Sequence, residues 1–111
     1  MKVSVQEVSS VHVVRIDEEK VGGDDSALSQ AVLGLLDTPG VRIVIDLSAV
    51  RSIGSSGLGT LVTLAARANQ YESQLVLANP SAFVAGVLET TQLNRFFRVF
   101  ANVDAAIAAL S

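Results

Sequence analysis

Two adjacent hydroxyls, Ser55 and Ser56, lie in the run Arg51-Ser52-Ile53-Gly54-Ser55-Ser56-Gly57-Leu58-Gly59, after an apolar strand signal at Val41 to Leu47 and before an amphipathic helical signal that runs to about Gln70. They therefore fall at a strand-to-helix junction. The first amides of a helix have no intrahelical acceptor and the helix dipole adds positive potential there, so an oxyanion or a phosphate at this junction meets both. A chemical switch in this chain belongs here. Position alone also offers a plainer use, because Ser is a preferred N-cap and either hydroxyl can close the first turn.

Other chemistries fit the residues less well. A strand-Ser-helix arrangement resembles a nucleophile elbow, but Gly54-Ser55-Ser56-Gly57 is not Gly-x-Ser-x-Gly, since a nucleophile at Ser56 would need Gly at position 58. The single imidazole, His12, falls in an extended run and reads as a half-exposed strand residue rather than a base. Gly54 to Gly59 also lacks the Lys and the spacing of a phosphate-binding P-loop. Asp17, Glu18, Glu19, Asp24 and Asp25 cluster without calcium-loop spacing and read as a solvated loop, so no metal and no cofactor is expected. Asp46 reads as a group that stabilises the end of its strand.

The elements that must position the hydroxyls follow from periodicity. Val3, Val5 and Val8 alternate with polar residues and Val11 to Ile16 is a second extended run, so an antiparallel hairpin turning at Ser9-Ser10 is expected. Asp17 to Asp25 reads as a loop whose Asp24 or Asp25 caps the next helix. Leu28, Ala31, Val32, Leu35 and Leu36 recur at helical spacing, and that helix stops before Pro39-Gly40. Val41 to Leu47, rich in β-branched residues, reads as a central strand covered on both faces.

Leu58, Leu61, Val62, Ala65 and Ala68 form a stripe that packs a helix on the sheet. Leu75 to Ala78 reads as a short strand, Asn79-Pro80-Ser81 as the opening of a helix over Ala82 to Glu89 with Pro in its first turn, and Phe97 to Phe100 as a last strand. Asn102 then caps a helix over Val103 to Leu110. The order ββαβαβαβα specifies an α/β fold with a mixed sheet, one domain over residues 1–111, in which the crossover helices share one face if strands are added outward in one direction.

Composition narrows the function classes. The net charge is -3 and the eight Lys and Arg are scattered, which argues against a nucleic-acid partner. There are no cysteines, so thiolate chemistry and disulfides are excluded, and a reducing compartment is compatible. Met1 to Glu7 lacks the apolar run of a signal peptide and no segment approaches a membrane span, so a cytoplasmic protein without membrane insertion is expected.

Val44-Ile45-Asp46-Leu47-Ser48-Ala49-Val50, followed by Ile53-Gly54-Ser55-Ser56-Gly57-Leu58-Gly59-Thr60-Leu61, resembles the signature of the STAS domain, the fold of bacterial anti-sigma factor antagonists. The family usually has Asp immediately before the two hydroxyl residues; this chain has Gly54. The resemblance implies a regulatory module, not an enzyme, that binds a serine kinase acting as an anti-sigma factor. It also implies that the phosphoacceptor is Ser55, with Ser56 as the alternative. The implied contact surface is the ridge of Gly54, Ser55, Ser56, Gly57, Leu58 and Thr60, with Asp24 or Asp25 standing in for an Asp that the family often places near the acceptor. A non-switching STAS subunit of a stressosome-like or transporter-associated complex is the other reading, and Gly54 is the residue that favours it.

Overall fold

In the computed structural model, which describes residues 1–111, Val3–Val8 (β1) and Val11–Ile16 (β2) form the expected antiparallel hairpin, with Val3 opposite Ile16 and Val8 opposite Val11. Its turn holds Ser9 at φ 51° and Ser10 at φ 65°, a left-handed pair whose twist matches that of the flanking strands. Four helices then alternate with three strands: Ser26–Leu35 (α1), Arg42–Asp46 (β4), Ser55–Gln70 (α2), Gln74–Ala78 (β6), Ala82–Thr90 (α3), Val99–Phe100 (β7) and Val103–Leu110 (α4). Two further strands, Lys20–Val21 (β3) and Ser52–Ile53 (β5), pair only with each other.

The main sheet is five-stranded in the order β1-β2-β4-β6-β7, parallel except at the hairpin. Each crossover adds its strand outward, and α1, α2 and α3 all cover one face through Leu28, Val32, Leu61, Leu64, Val84 and Leu88. The terminal helix α4 covers the other face, where Ala106 and Leu110 meet Val11, Val13, Val44 and Val76. Strand β4 is accordingly apolar on both sides, with Ile43 and Ile45 in the larger core and Val44 in the smaller.

Several expectations are corrected. The stretch from Asp17 to Asp25 is not loop throughout, because β3 lies inside it. On α2 the buried line runs through Gly57, Leu61, Leu64 and Ala68, while Leu58, Val62 and Ala65 pack partly buried at its flank. Pro80 lies outside α3, whose N-cap is Ser81; the Ser81 hydroxyl accepts from Val84 N at 3.2 Å. Of Phe97 to Phe100 only the last two residues pair, since Leu93–Arg95 forms a 3₁₀ turn and Phe97 drops into the larger core. Asn102 caps α4 as expected, its Oδ1 accepting from Ala105 N at 2.8 Å.

Candidate functional site

The small sheet is what fixes the hydroxyl junction. Strands β3 and β5 run parallel, with Lys20 beside Ser52 and Val21 beside Ile53. Glu19 O accepts from both Arg51 N (2.7 Å) and Ser52 N (2.9 Å), and Val21 O accepts from Gly54 N (3.0 Å). The acidic stretch is thereby folded onto the residues that lead into α2.

At the start of α2 the N-cap is Gly54, with φ −90° and ψ 175°, and no side chain caps the helix. Neither serine is the cap, which corrects that expectation: Ser55 is the first helical residue and Ser56 the second. Gly54 is not held at positive φ either, and a Cβ there would meet nothing within 4 Å. Leu58 N donates to Gly54 O at 3.0 Å, whereas the amides of Ser55, Ser56 and Gly57 find no acceptor in the chain. The two hydroxyls differ. Ser56 Oγ accepts from Gly23 N at 3.2 Å, while the exposed Ser55 hydroxyl has no bond to the chain.

Gly57 faces inward. It is buried, and a Cβ on it would stand 2.7 Å from Val21 O, so only glycine lets α2 close on β3. Leu58 is half-buried against the larger core. The outward ridge is thus carried by Gly54, Ser55, Ser56 and Gly59, with Thr60 half-buried behind it.

The two acidic residues take separate roles. Asp25, 7% exposed, accepts from Gly22 N (3.1 Å) and from Thr60 Oγ1 (3.2 Å), tying the turn at Gly22-Gly23 to α2. It holds the N-cap position of α1 without a side-chain capping bond. Asp24 turns away, exposed, and accepts from Ser26 Oγ (2.7 Å) and Ser26 N (3.1 Å); these bonds, the hydroxyl's first, hold its carboxyl below the usual range. The structure brings Gly23, Asp25, Ser56 and Thr60 together and leaves Asp24 apart.

Val21 and Gly22 were not singled out by the sequence, although both shape the site. Gly22 sits at φ 128°, and a Cβ there would come within 3.0 Å of Ser56 Oγ. The signal available was an apolar residue followed by two glycines inside an acidic run. His12 is half-exposed in β2, beside Glu7 of β1 and Ile43 of β4, and makes no hydrogen bond to the residues at the head of α2. Asp46 does stabilise its strand end, its Oδ1 accepting from Ser48 N at 3.0 Å.

A mixed sheet with three helices on one face and one on the other, and a glycine-serine helix start beside a short accessory sheet, defines a compact α/β domain of the STAS type. The family model of the STAS domain matches residues 2–106, and the chain belongs to that family. An anti-sigma factor antagonist from Mycobacterium paratuberculosis is similar at 26% identity and TM-score 0.81, over 98% of this chain and 92% of that one. The anti-sigma factor antagonist SpoIIAA in its unphosphorylated form shares the fold at 18% identity and TM-score 0.71, over 98% and 96%. So does part of the murine anion transporter Slc26a9, at 16% identity and TM-score 0.77, over 95% of this chain and 18% of that one. No helix of this chain is long and apolar enough to cross a membrane.

Proposed function

We propose that this chain is an anti-sigma factor antagonist of the cytoplasm that binds a serine kinase acting as an anti-sigma factor, and that phosphorylation of Ser55 breaks the complex. The observation that carries this reading is the contrast between the hydroxyls: Ser56 is engaged by Gly23 N, and Ser55 is exposed and unengaged at the first residue of a 16-residue helix. A phosphate on Ser55 would bring about 1.5 to 2 negative charges to a surface that a partner must approach closely. The partner surface in this reading is the outward ridge from Gly54 to Thr60 with the turn at Gly22 to Asp25.

The test joins phosphopeptide mapping after incubation with the cognate kinase and ATP to binding measurements on two variants. One phosphate is expected, on Ser55. Because Ser55 does not cap α2, Ser55→Ala and Ser55→Asp should melt close to wild type while separating in affinity, with Ala binding constitutively and Asp binding less well. An Ser55→Asp protein that binds as tightly as wild type would end the charge-repulsion form of the switch.

A second reading is favoured by one observation, the Gly at position 54 where the STAS pattern has Asp. In that reading the domain is a non-switching subunit of a larger assembly, and Ser55 stays unmodified in the presence of a kinase shown to be active.

A further inference from the structure

The two edges of the main sheet are built differently. Strand β7 has two residues, so its free side is short, whereas β1 at the other edge has six and pairs without a bulge from Val3 to Val8. Short length, Pro, Lys and bulges are the usual protections of a sheet edge, and β1 has none of them. Asp17 N donates to Lys2 O at 2.8 Å, which makes Lys2 and Asp17 a hydrogen-bonded pair. Such pairs alternate along an antiparallel ladder, so Ser4, Gln6 and Val8 turn their backbone groups to β2. The N–H and C=O groups of Val3, Val5 and Glu7 point outward, and no turn, loop or side-chain bond engages them.

The side chains of these three residues stand on the face covered by α1, α2 and α3, since Val3 packs against the larger core and side chains alternate along a strand. Val5 is nonetheless 48% exposed. Helix α1 packs over the hairpin and carries no charged residue. Its Leu28 and Val32 are buried, and Ser29 and Leu33 line the groove against α2. Helical spacing puts Ala27, Ala31 and Gly34 on the opposite flank, towards the β1 edge.

We infer that the β1 edge is the interface of a homodimer, in which two copies of this chain pair antiparallel about a two-fold axis at Val5 and their sheets join. A two-fold contact must match a surface with itself, and this edge does so in one register. With each Val5 opposite its own copy, Val3 lies opposite Glu7 and every outward N–H and C=O of the three residues finds a partner. A shift of two residues either way leaves Glu7 or Val3 opposite a residue outside the strand. In the centred register Lys2 falls opposite Val8, so no like charges are opposed, and the exposed Val5 side chains cover each other. The helices fit as well. With strands about 4.8 Å apart, a helix seated over β1 and β2 stands about 10 Å from its copy across the axis, close to the spacing of packed helices. An acidic or basic partner would find no charge on α1 to answer its own. The interface shares no residue with the ridge around Ser55, so it is independent of the switch.

The test is sedimentation equilibrium of the full chain from about 10 μM to 1 mM, where the mass should rise towards twice the 11.6 kDa of one chain. Val5→Lys and Val5→Glu each place like charges on the axis and should weaken the dimer about tenfold or more, with the circular-dichroism spectrum of wild type because Val5 is not in the core. Mixed in equal amounts, the two variants should dimerise again. In wild type, hydrogen exchange at the Val5 amide should slow about threefold or more as concentration rises, while Gln6, already bonded to β2, keeps its rate. The proposal is overturned if wild type stays monomeric at the highest concentration, if both variants dimerise as wild type does, which would place the contact elsewhere, or if their mixture stays monomeric, which would exclude a two-fold axis at Val5.

Discussion

Single residues at the head of α2 decide how the junction is built, and its glycines are not equivalent. At Gly57 the requirement is space. A methyl group placed 2.7 Å from a backbone carbonyl must push α2 away from β3, and Gly57→Ala should cost about 1 to 3 kcal/mol in urea unfolding despite the better helix propensity of Ala. Gly57→Glu should lose folded signal and partner binding together, so it cannot report on the interface. At Gly54 neither space nor backbone demands glycine. Gly54→Asp supplies a capping carboxylate to free amides at the positive end of a helix and should stabilise by about 0.3 to 1 kcal/mol, read as a higher denaturation midpoint with unchanged slope. The same variant restores the acid of the STAS pattern, so comparing its phosphorylation with that of wild type tests whether Gly54 weakens the switch.

At the scale of elements, the accessory sheet and the buried Asp25 carboxylate join two segments distant in sequence. Thr60→Val removes one of the two hydrogen bonds to Asp25 and should cost about 1 kcal/mol, with faster hydrogen exchange at Gly22 and Gly23 than elsewhere. The neighbouring Asp24 has its pKa lowered by Ser26, so its contribution is present at neutral pH and is lost as pH falls through the lowered value. Ser26→Ala should therefore bring the Asp24 carboxyl back towards the ordinary range, as followed by its carbon chemical shift. The long periodic elements were legible in the sequence, because β4 and the helices carry their burial as a pattern of side chains. Strands β3 and β5 were not, since two residues hold no period and their pairing is a matter of backbone bonds between residues more than thirty apart. The hydroxyl junction shows a related limit: composition marks where a helix begins to within a residue or so, and a shift of one position makes Ser55 a first helical residue instead of a cap, while Asp25 holds the N-cap position of α1 but turns its carboxylate to Gly22 and Thr60. At position 57 a glycine at a close-packed helix start was legible, but the strand that it packs on, β3, was not.

The whole molecule rests on two cores separated by one sheet, and they are unequal. The larger holds 19 buried residues and the smaller seven, with α4 as its cover. Leu88 of α3 and Leu110 of α4 lie in different cores, 1% and 6% exposed. Truncating each to Ala should cost about 2 to 4 kcal/mol, the larger loss at Leu88, where packing on all sides leaves the cavity less able to collapse than at the end of a terminal helix. Because the sheet stands between them and they share no cluster, the double variant should lose the sum to within about 0.5 kcal/mol. A coupling well above that value would mean that the sheet bends as one body when either face is emptied. In that event α4 would set the strand geometry under Ser55 as well as covering the second face, and Leu110→Ala would weaken partner binding from the opposite side of the domain.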